Sequence, residues 1–593
     1  MEGMMKILII VLLFSSFTFA QDNYWQTLYE QSIHKQTPRY QETIGYCQKL
    51  AVSSPWVKYR SFGKSPQGRD LPLLIVNKRG NFKPQDVHRS ANIVFLIQAC
   101  IHPGESDGKD AGLMLIRDMV ITKELEHLLD NVTVLFIPIF NVDGHERFSA
   151  YNRINQNGPE EMGWRTTAQN LNLNRDFLKA DAPEMQYWLK LYNEWLPDFF
   201  ADCHVTDGAD YQYPITYKID QHGIMDQSLI DWVELNYLPP LLNAMEKDGY
   251  PTIEYVSFKR NHDIESGMTT WAAPPGFSDG YAAIQNRPGL LIETHMFKDY
   301  KTRVSATYAM LKHTIEILND NPVHLKQQIN IVDQITLSAA FREDSLAIDY
   351  RQVNDSTMID FLGYQYLKLK SDLSGGDWYR YTDIPKTFRI PFYNKMRPSV
   401  KVRLPEAYVI PAEWDEVIQR IQLHGIKIHR IKSEKKLMLH TYKFTNAVWS
   451  AQPYEGRHPL RVETEPIVFE RIYPPGSVLI DMNQRTAKVI ANILEPRARD
   501  SFVYWGFFDA VFEQKEYVES YVMEERARIM LASDEDLKKD FDNKRKTDKT
   551  FAQNPGAILM WFYQKTPYWD QMRDIYPVGK IFDRELVEEL KNE

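Results

Sequence analysis

Cysteine is nearly missing from this chain of 593 residues: Cys47, Cys100 and Cys203 are its only three. That excludes a disulfide framework, and an odd third thiol leaves at least one free. Cys100 and Cys203 stand close to histidines in the sequence and could approach each other, although two small buried thiols is the plainer reading. Long apolar runs are equally scarce. The one at residues 7–14 is too short for a permanent membrane anchor. With Lys6 before it and Thr18-Phe-Ala20 after it, this run reads as a secretory signal over 1–20, cleaved before Gln21. Glu2 is unusual there, so Met4 or Met5 is an alternative start. No later run reads as a membrane span, and no cysteine follows the cleavage point to carry a lipid. The expectation is an exported protein, secreted or periplasmic. Dense Lys/Arg clusters are lacking too; with a net charge of −9, nucleic acid is not an expected partner. Internal repeats and low-complexity segments are absent. The mixed charge run at 533–546 reads as a solvated helix or loop.

What the chain does contain is an alternation of strands and helices from about Val57 to Leu318, the pattern of a mixed or parallel sheet flanked by helices. Within it, Cys100-Ile-His-Pro-Gly-Glu-Ser106 joins an apolar, β-branched run (91–98) to a stretch with helical spacing (108–119). His102 and Glu105 would then stand at the carboxyl end of a strand, where open α/β sheets place their chemistry. Imidazole and carboxylate are zinc ligands, and a catalytic zinc takes three protein ligands and keeps a fourth position open. A second apolar run (196–203) ends in His204, which supplies the third candidate. Its plainer reading is a strand-end histidine bonded to a neighbouring backbone group. Asn174 and Arg175 stand side by side, with Arg165 upstream, and arginine suits two-pronged recognition of a carboxylate. Glu293 is the one carboxylate in the apolar run Pro288-Gly-Leu-Leu-Ile-Glu-Thr294. Such a glutamate is costly to bury unless paired or functional, and a structural ion pair is the alternative.

In their order along the chain, Gly63-Lys-Ser-Pro-Gln-Gly-Arg-Asp-Leu71, His102-Pro-Gly-Glu105, Asn141-Val-Asp-Gly144, Trp164-Arg165, Asn174-Arg175, His204 and Glu293 resemble the zinc metallocarboxypeptidase family. That family includes carboxypeptidases A and B. The resemblance covers roughly Thr37 to Asp320. It implies one zinc per chain held by His102, Glu105 and His204, and an oxyanion stabilised by Arg165. It further implies a substrate C-terminal carboxylate gripped by Asn174 and Arg175, and a general base, Glu293, that later protonates the leaving amine. The partners it implies are peptide or protein C-termini.

Two positions depart from the family pattern, and two more are candidates for roles within it. Asn172 stands where an aspartate usually orients a zinc-bound histidine; its amide oxygen can accept the same hydrogen bond without a charge. Gly104 stands where the pancreatic enzymes carry an arginine, which removes one cation from the upstream subsites. Tyr281 is the candidate for the tyrosine that closes over the bound terminus, with a packed aromatic as the alternative. Asp279 could favour basic residues in the side-chain pocket, although a turn role is the preferred reading.

The expected fold class is α/β, a mixed twisted sheet flanked by helices, followed by a second, strand-rich α+β domain. The expected organisation is a signal over 1–20, a zinc carboxypeptidase-like catalytic domain over 21–320, a helical linker over 321–344 and a C-terminal domain over 345–593. Catalytic-domain sequence starts soon after Gln21, so no separate inhibitory pro-segment is expected. Alternating segments near 399–404 and 435–442 read as antiparallel strands, and 414–423 and 517–532 as helices. Aromatics such as Trp505, Phe507, Phe508, Trp561, Tyr563 and Trp569 read as core. This half could wall the cleft, restrict substrate size or bind a surface. Two other functions fit the same residues: an amidohydrolase acting on cell-wall peptides or N-acyl amino acids, and a zinc-containing binding protein without turnover. The preferred terminal residue and the oligomeric state stay open.

Overall fold

The computed structural model describes residues 24–206 and 208–592; the predicted signal segment lies outside them. The sheet that carries the site has eight strands: β1 (Val57–Lys64), β2 (Asp70–Val76), β3 (Ile93–Gln98), β4 (Val132–Ile137), β5 (Phe199–Thr206), β6 (Ile215–Lys218), β7 (Thr252–Glu254) and β9 (Gly289–His295), with a two-residue strand β8 (Met268–Thr269) lying outside it. Their order is β1-β2-β4-β3-β5-β9-β6-β7. The central strands β4, β3, β5 and β9 are mutually parallel, and antiparallel pairs flank them on both sides. Every residue of β3, β4, β5 and β9 is buried, as parallel strands covered on both faces must be.

Alternate side chains of each strand feed two cores. Phe95, Ile97, Val134 and Phe136 face one side, with the helices Tyr40–Ser53, Asp107–Val120 and Tyr300–Asp320. Val94, Leu96, Leu135 and Ile137 face the other, against the helix Pro183–Trp195. Tyr408, Ile410, Ile480 and Ile490 join this second core, so the C-terminal half covers one face of the eight-stranded sheet.

That half contains a ladder of β10 (Ser345–Gln352) with β13 (Met396–Arg403) and a long hairpin of β11 (Thr357–Lys370) with β12 (Asp377–Tyr393), on whose edge β8 pairs. Its six-stranded sheet comprises β14 (Ala407–Ile410), β15 (His429–Arg430), β16 (Lys435–Trp449), β17 (Leu460–Tyr473), β18 (Val478–Asp481) and β19 (Gly579–Ile581). The helices Ser520–Ser533, Glu535–Thr547 and Pro555–Tyr563 form a small cluster around Phe541 and Phe562. Trp505, Phe508 and Tyr563 are buried, while Phe507, Trp561 and Trp569 pack partly exposed at core edges. All three cysteines are buried free thiols. Among the described residues no helix is long and apolar enough to cross a membrane.

One buried carboxyl is unusual. Glu184, in the first turn of the helix Pro183–Trp195, is 0% exposed, and neither of its oxygens has a hydrogen-bond partner among the described residues. Burial, with Asp143 and Asp176 nearby, pushes it from an ordinary 4.5 up to about 7. Because the folded state holds this proton more tightly, stability is unaffected below pH 4.5 and falls as pH rises toward 7. Glu184→Gln should therefore match wild type in apparent Tm at pH 4.5. At pH 8 it should be more stable by an amount of order 3 kcal/mol. A Tm difference that is constant with pH contradicts this.

Candidate functional site

Three adjacent parallel strands deliver the site at their carboxyl ends. After β3, Cys100 takes a left-handed φ of 57° and turns the chain sharply. The amide of Glu105 then donates to the carbonyl of His102 at 2.8 Å, closing a tight loop that puts both side chains together before the helix Asp107–Val120. His204 lies within β5, directly opposite Glu293 on β9. His102, Glu105 and His204 are each 2–3% exposed, and one donor atom of each lies within 4.8 Å of the others.

The outer nitrogens of the two imidazoles are already committed. Nε2 of His102 donates to Oδ1 of Asn172 at 2.9 Å, and Nε2 of His204 donates to Oδ2 of Asp202 at 2.9 Å. That leaves both Nδ1 atoms facing Glu105, at 3.2 and 2.9 Å from its Oε2. Two donors held at about 2.0–2.1 Å on a tetrahedral ion lie about 3.3–3.4 Å apart; the Nδ1 atoms are 3.2 Å apart. The donor set thus fits a divalent ion such as zinc, with the outer hydrogen bonds that fix each tautomer already in place. Burial, with Arg165 and His204 adding to it, pulls His102 down to about 4, so it is neutral and ready to ligate at pH 7. Burial opposes charge on Glu105, but the Arg153 guanidinium and the amide of Val205, both of which donate to it, outweigh that and hold the carboxyl well below its usual range. Burial likewise opposes charge on His204, but Asp202 outweighs it and holds the imidazole above its usual range. Binding an ion displaces that proton.

The cluster opens into a cleft lined also by Arg153, Arg165, Asn174, Arg175, Asp279 and Glu293, with Tyr255, Trp271, Phe277 and Leu291 as its apolar walls. Arg165 is 44% exposed at its side chain and reaches Oε1 of Glu105 at 3.3 Å. Asn174 accepts from the amide of Ser278 at 3.1 Å. Arg175 lies 3.8 Å over the Phe277 ring and pairs with no carboxylate among the described residues. Glu293 is 8% exposed and faces the same cleft.

Residues 43–282 match the family described as zinc carboxypeptidase. This region is a zinc carboxypeptidase domain. The chain is accordingly a zinc metallopeptidase of carboxypeptidase type. Carboxypeptidase 2 of Trichophyton rubrum is 21% identical over 488 residues, covering 79% of this chain and 84% of that protein. Carboxypeptidase 2 of Trichophyton equinum is 21% identical over 490 residues with the same coverage, 79% and 84%. Among solved structures, a putative carboxypeptidase A from Shewanella denitrificans shares 17% identity with a TM-score of 0.37, over 48% of this chain and 69% of its own. Carboxypeptidase A of Helicoverpa armigera shares 18% with a TM-score of 0.36, over 49% and 74%.

Within the carboxypeptidase cleft, two sequence expectations need correction. Tyr281 is not at the mouth: it is 0% exposed in the helix Ser278–Ile284, packed on Trp188 and Tyr192, with its hydroxyl bonded to Nδ1 of His424 at 2.9 Å. Asp279 does line the cleft, but it pairs at 2.8 Å with the buried Lys218 rather than serving a turn. Gly104 brings no cation of its own, but the space beside it is filled by Arg153. A Cβ on Gly104 would lie 2.4 Å from Cδ of Arg153. The missing side chain is what admits Arg153, which bonds Oε1 of Glu105 at 2.7 Å and the carbonyl of Val205 at 3.2 Å.

Sequence reasoning also passed over Asp202. Its signal was present, because residues two apart on a strand share a face, and Asp202 and His204 do so on β5. Asp202 is itself held by Nε2 of Gln98 at 3.1 Å. Removing such an outer partner typically lowers metal affinity by about 10- to 100-fold. Asp202→Ala is expected to do so in a zinc competition titration; unchanged affinity contradicts the role.

Proposed function

We propose that this protein hydrolyses C-terminal peptide bonds, with one zinc per chain held by His102, Glu105 and His204. The observation that carries the reading is the meeting, in one cleft, of that donor cluster with Glu293 on the neighbouring strand and with an arginine that has no carboxylate partner among the described residues. A divalent ion held there supplies Lewis acidity, which polarises a carbonyl and acidifies water. Glu293 acts as general base, taking a proton from the attacking water and returning it to the leaving amine. Arg165, exposed enough to swing away from Glu105, faces the oxyanion as it develops. Arg175 and Asn174 hold the substrate's terminal carboxylate, which sets the scissile bond one residue from the end. Asn172 and Asp202 keep both imidazoles in register. Export to the cell exterior or periplasm rests on the pattern of residues 1–20.

The test is a panel of dansylated peptides with free and amidated C-termini, muropeptides and acylated amino acids, with and without chelator. Release of terminal residues from free-acid peptides alone, abolished by chelation, is expected. Turnover confined to muropeptides or acylated amino acids overturns the proposal.

A further inference from the structure

The C-terminal half reaches the part of the cleft assigned to the carboxylate. We infer that Tyr454, on the loop joining β16 to β17, is a positioning residue for Arg175, so that this half completes substrate recognition; the inference rests on the carboxypeptidase reading above.

The loop is braced by its own bonds and by the catalytic half. Ser450 donates to the carbonyl of Pro459 at 2.8 Å, and Tyr454 and Arg457 exchange backbone bonds of 2.7 and 3.1 Å. Glu455 and Gly456 take φ of 50° and 77° to make the turn. Arg457 grips both oxygens of Asp181 at 2.7 and 2.8 Å and lies 4.0 Å over the ring of Phe507. The Tyr454 ring stacks on Trp505, with centroids 6.0 Å apart and planes 13° from parallel.

From this braced tip two contacts enter the site. The Tyr454 hydroxyl accepts from Nε of Arg175 at 3.1 Å. Oε2 of Glu455 accepts from the amide of Asn172 at 2.8 Å. Asn172 in turn bonds His102 and the amide of Asn174. On its other side Arg175 rests on Phe277, whose neighbour Gly276 donates its amide to the buried Asp500 of the C-terminal half at 2.9 Å. Nε is thus committed to Tyr454 and Nη1 to the carbonyl of Asn174. An arginine side chain is flexible, and two-pronged carboxylate recognition needs its fork fixed in orientation. Tyr454 provides that constraint from outside the catalytic domain.

Tyr454→Phe keeps the ring and its stack on Trp505 and removes the acceptor. In the full-length, zinc-loaded enzyme it should raise KM for a dansylated peptide acid by roughly 10-fold, the low end of the effect of one hydrogen bond to a charged group. Three other readings should stay at wild-type values: kcat, the inhibition constant of the matching peptide amide, and Tm. On an Arg175→Met background the same change should have no further effect. Unchanged KM, equal losses toward acid and amide, or additivity with Arg175→Met overturns the inference alone. A wild type that does not favour the acid over the amide overturns the carboxypeptidase reading and the inference with it.

Discussion

Replacing Glu293 with glutamine should lower turnover by about 10²- to 10⁴-fold while leaving bound zinc at the wild-type level. The two effects separate because Glu293 stands on β9 beside His204 without belonging to the donor cluster. Glutamine has the same shape and still accepts a hydrogen bond, but it cannot take the proton of water at neutral pH. Glu293 is buried to 8% exposure in a strand whose backbone is paired on both sides, to β5 and β6, so the substitution leaves the sheet intact. Kinetics and metal analysis on one preparation check both halves. Retained turnover removes Glu293 from the chemistry, whereas lost zinc makes it part of the metal site.

The second large effect belongs to Arg175. Arg175→Met keeps a long apolar stem over Phe277 and deletes the charge. Hydrogen bonds to charged groups contribute about 1.5–3 kcal/mol, so loss of a two-pronged grip should lower kcat/KM for a peptide acid by about 100-fold, some 2.7 kcal/mol. The matching amide should be little affected, so selectivity for a free terminus collapses. Arg153 cannot substitute, since it already bonds Oε1 of Glu105 and the carbonyl of Val205, and Arg165 is assigned to the oxyanion. Equal loss toward acid and amide would place Arg175 in the scaffold.

Residues whose position follows from local pattern were legible in the sequence. His102, Glu105, His204 and Glu293 sit on or just after apolar runs, and parallel strands bring such ends together; the structure gathers all four into one cleft. Asp202 was equally local, two residues before His204, and was overlooked. Features that depend on distant packing were not legible. Arg153 fills space left by Gly104, 49 positions earlier in the chain, and no periodicity links the two. Tyr281 precedes Glu293 closely enough to suggest the cleft, yet the turn of the helix Ser278–Ile284 carries it inward to His424, a residue of the other half. The contacts of Tyr454 and Glu455 with Arg175 and Asn172 join positions separated by 279 and 283 residues. For the same reason, the shared core beneath the catalytic sheet left no trace in composition.

The measurement that bears most directly on the account is the zinc content of the dialysed full-length protein, with His204→Ala prepared alongside and both assayed for release of C-terminal residues. The account predicts one zinc per chain and release activity in the wild type, and loss of both in the variant. Zinc retained at full occupancy by His204→Ala, or residue release from a metal-free wild type, would contradict it.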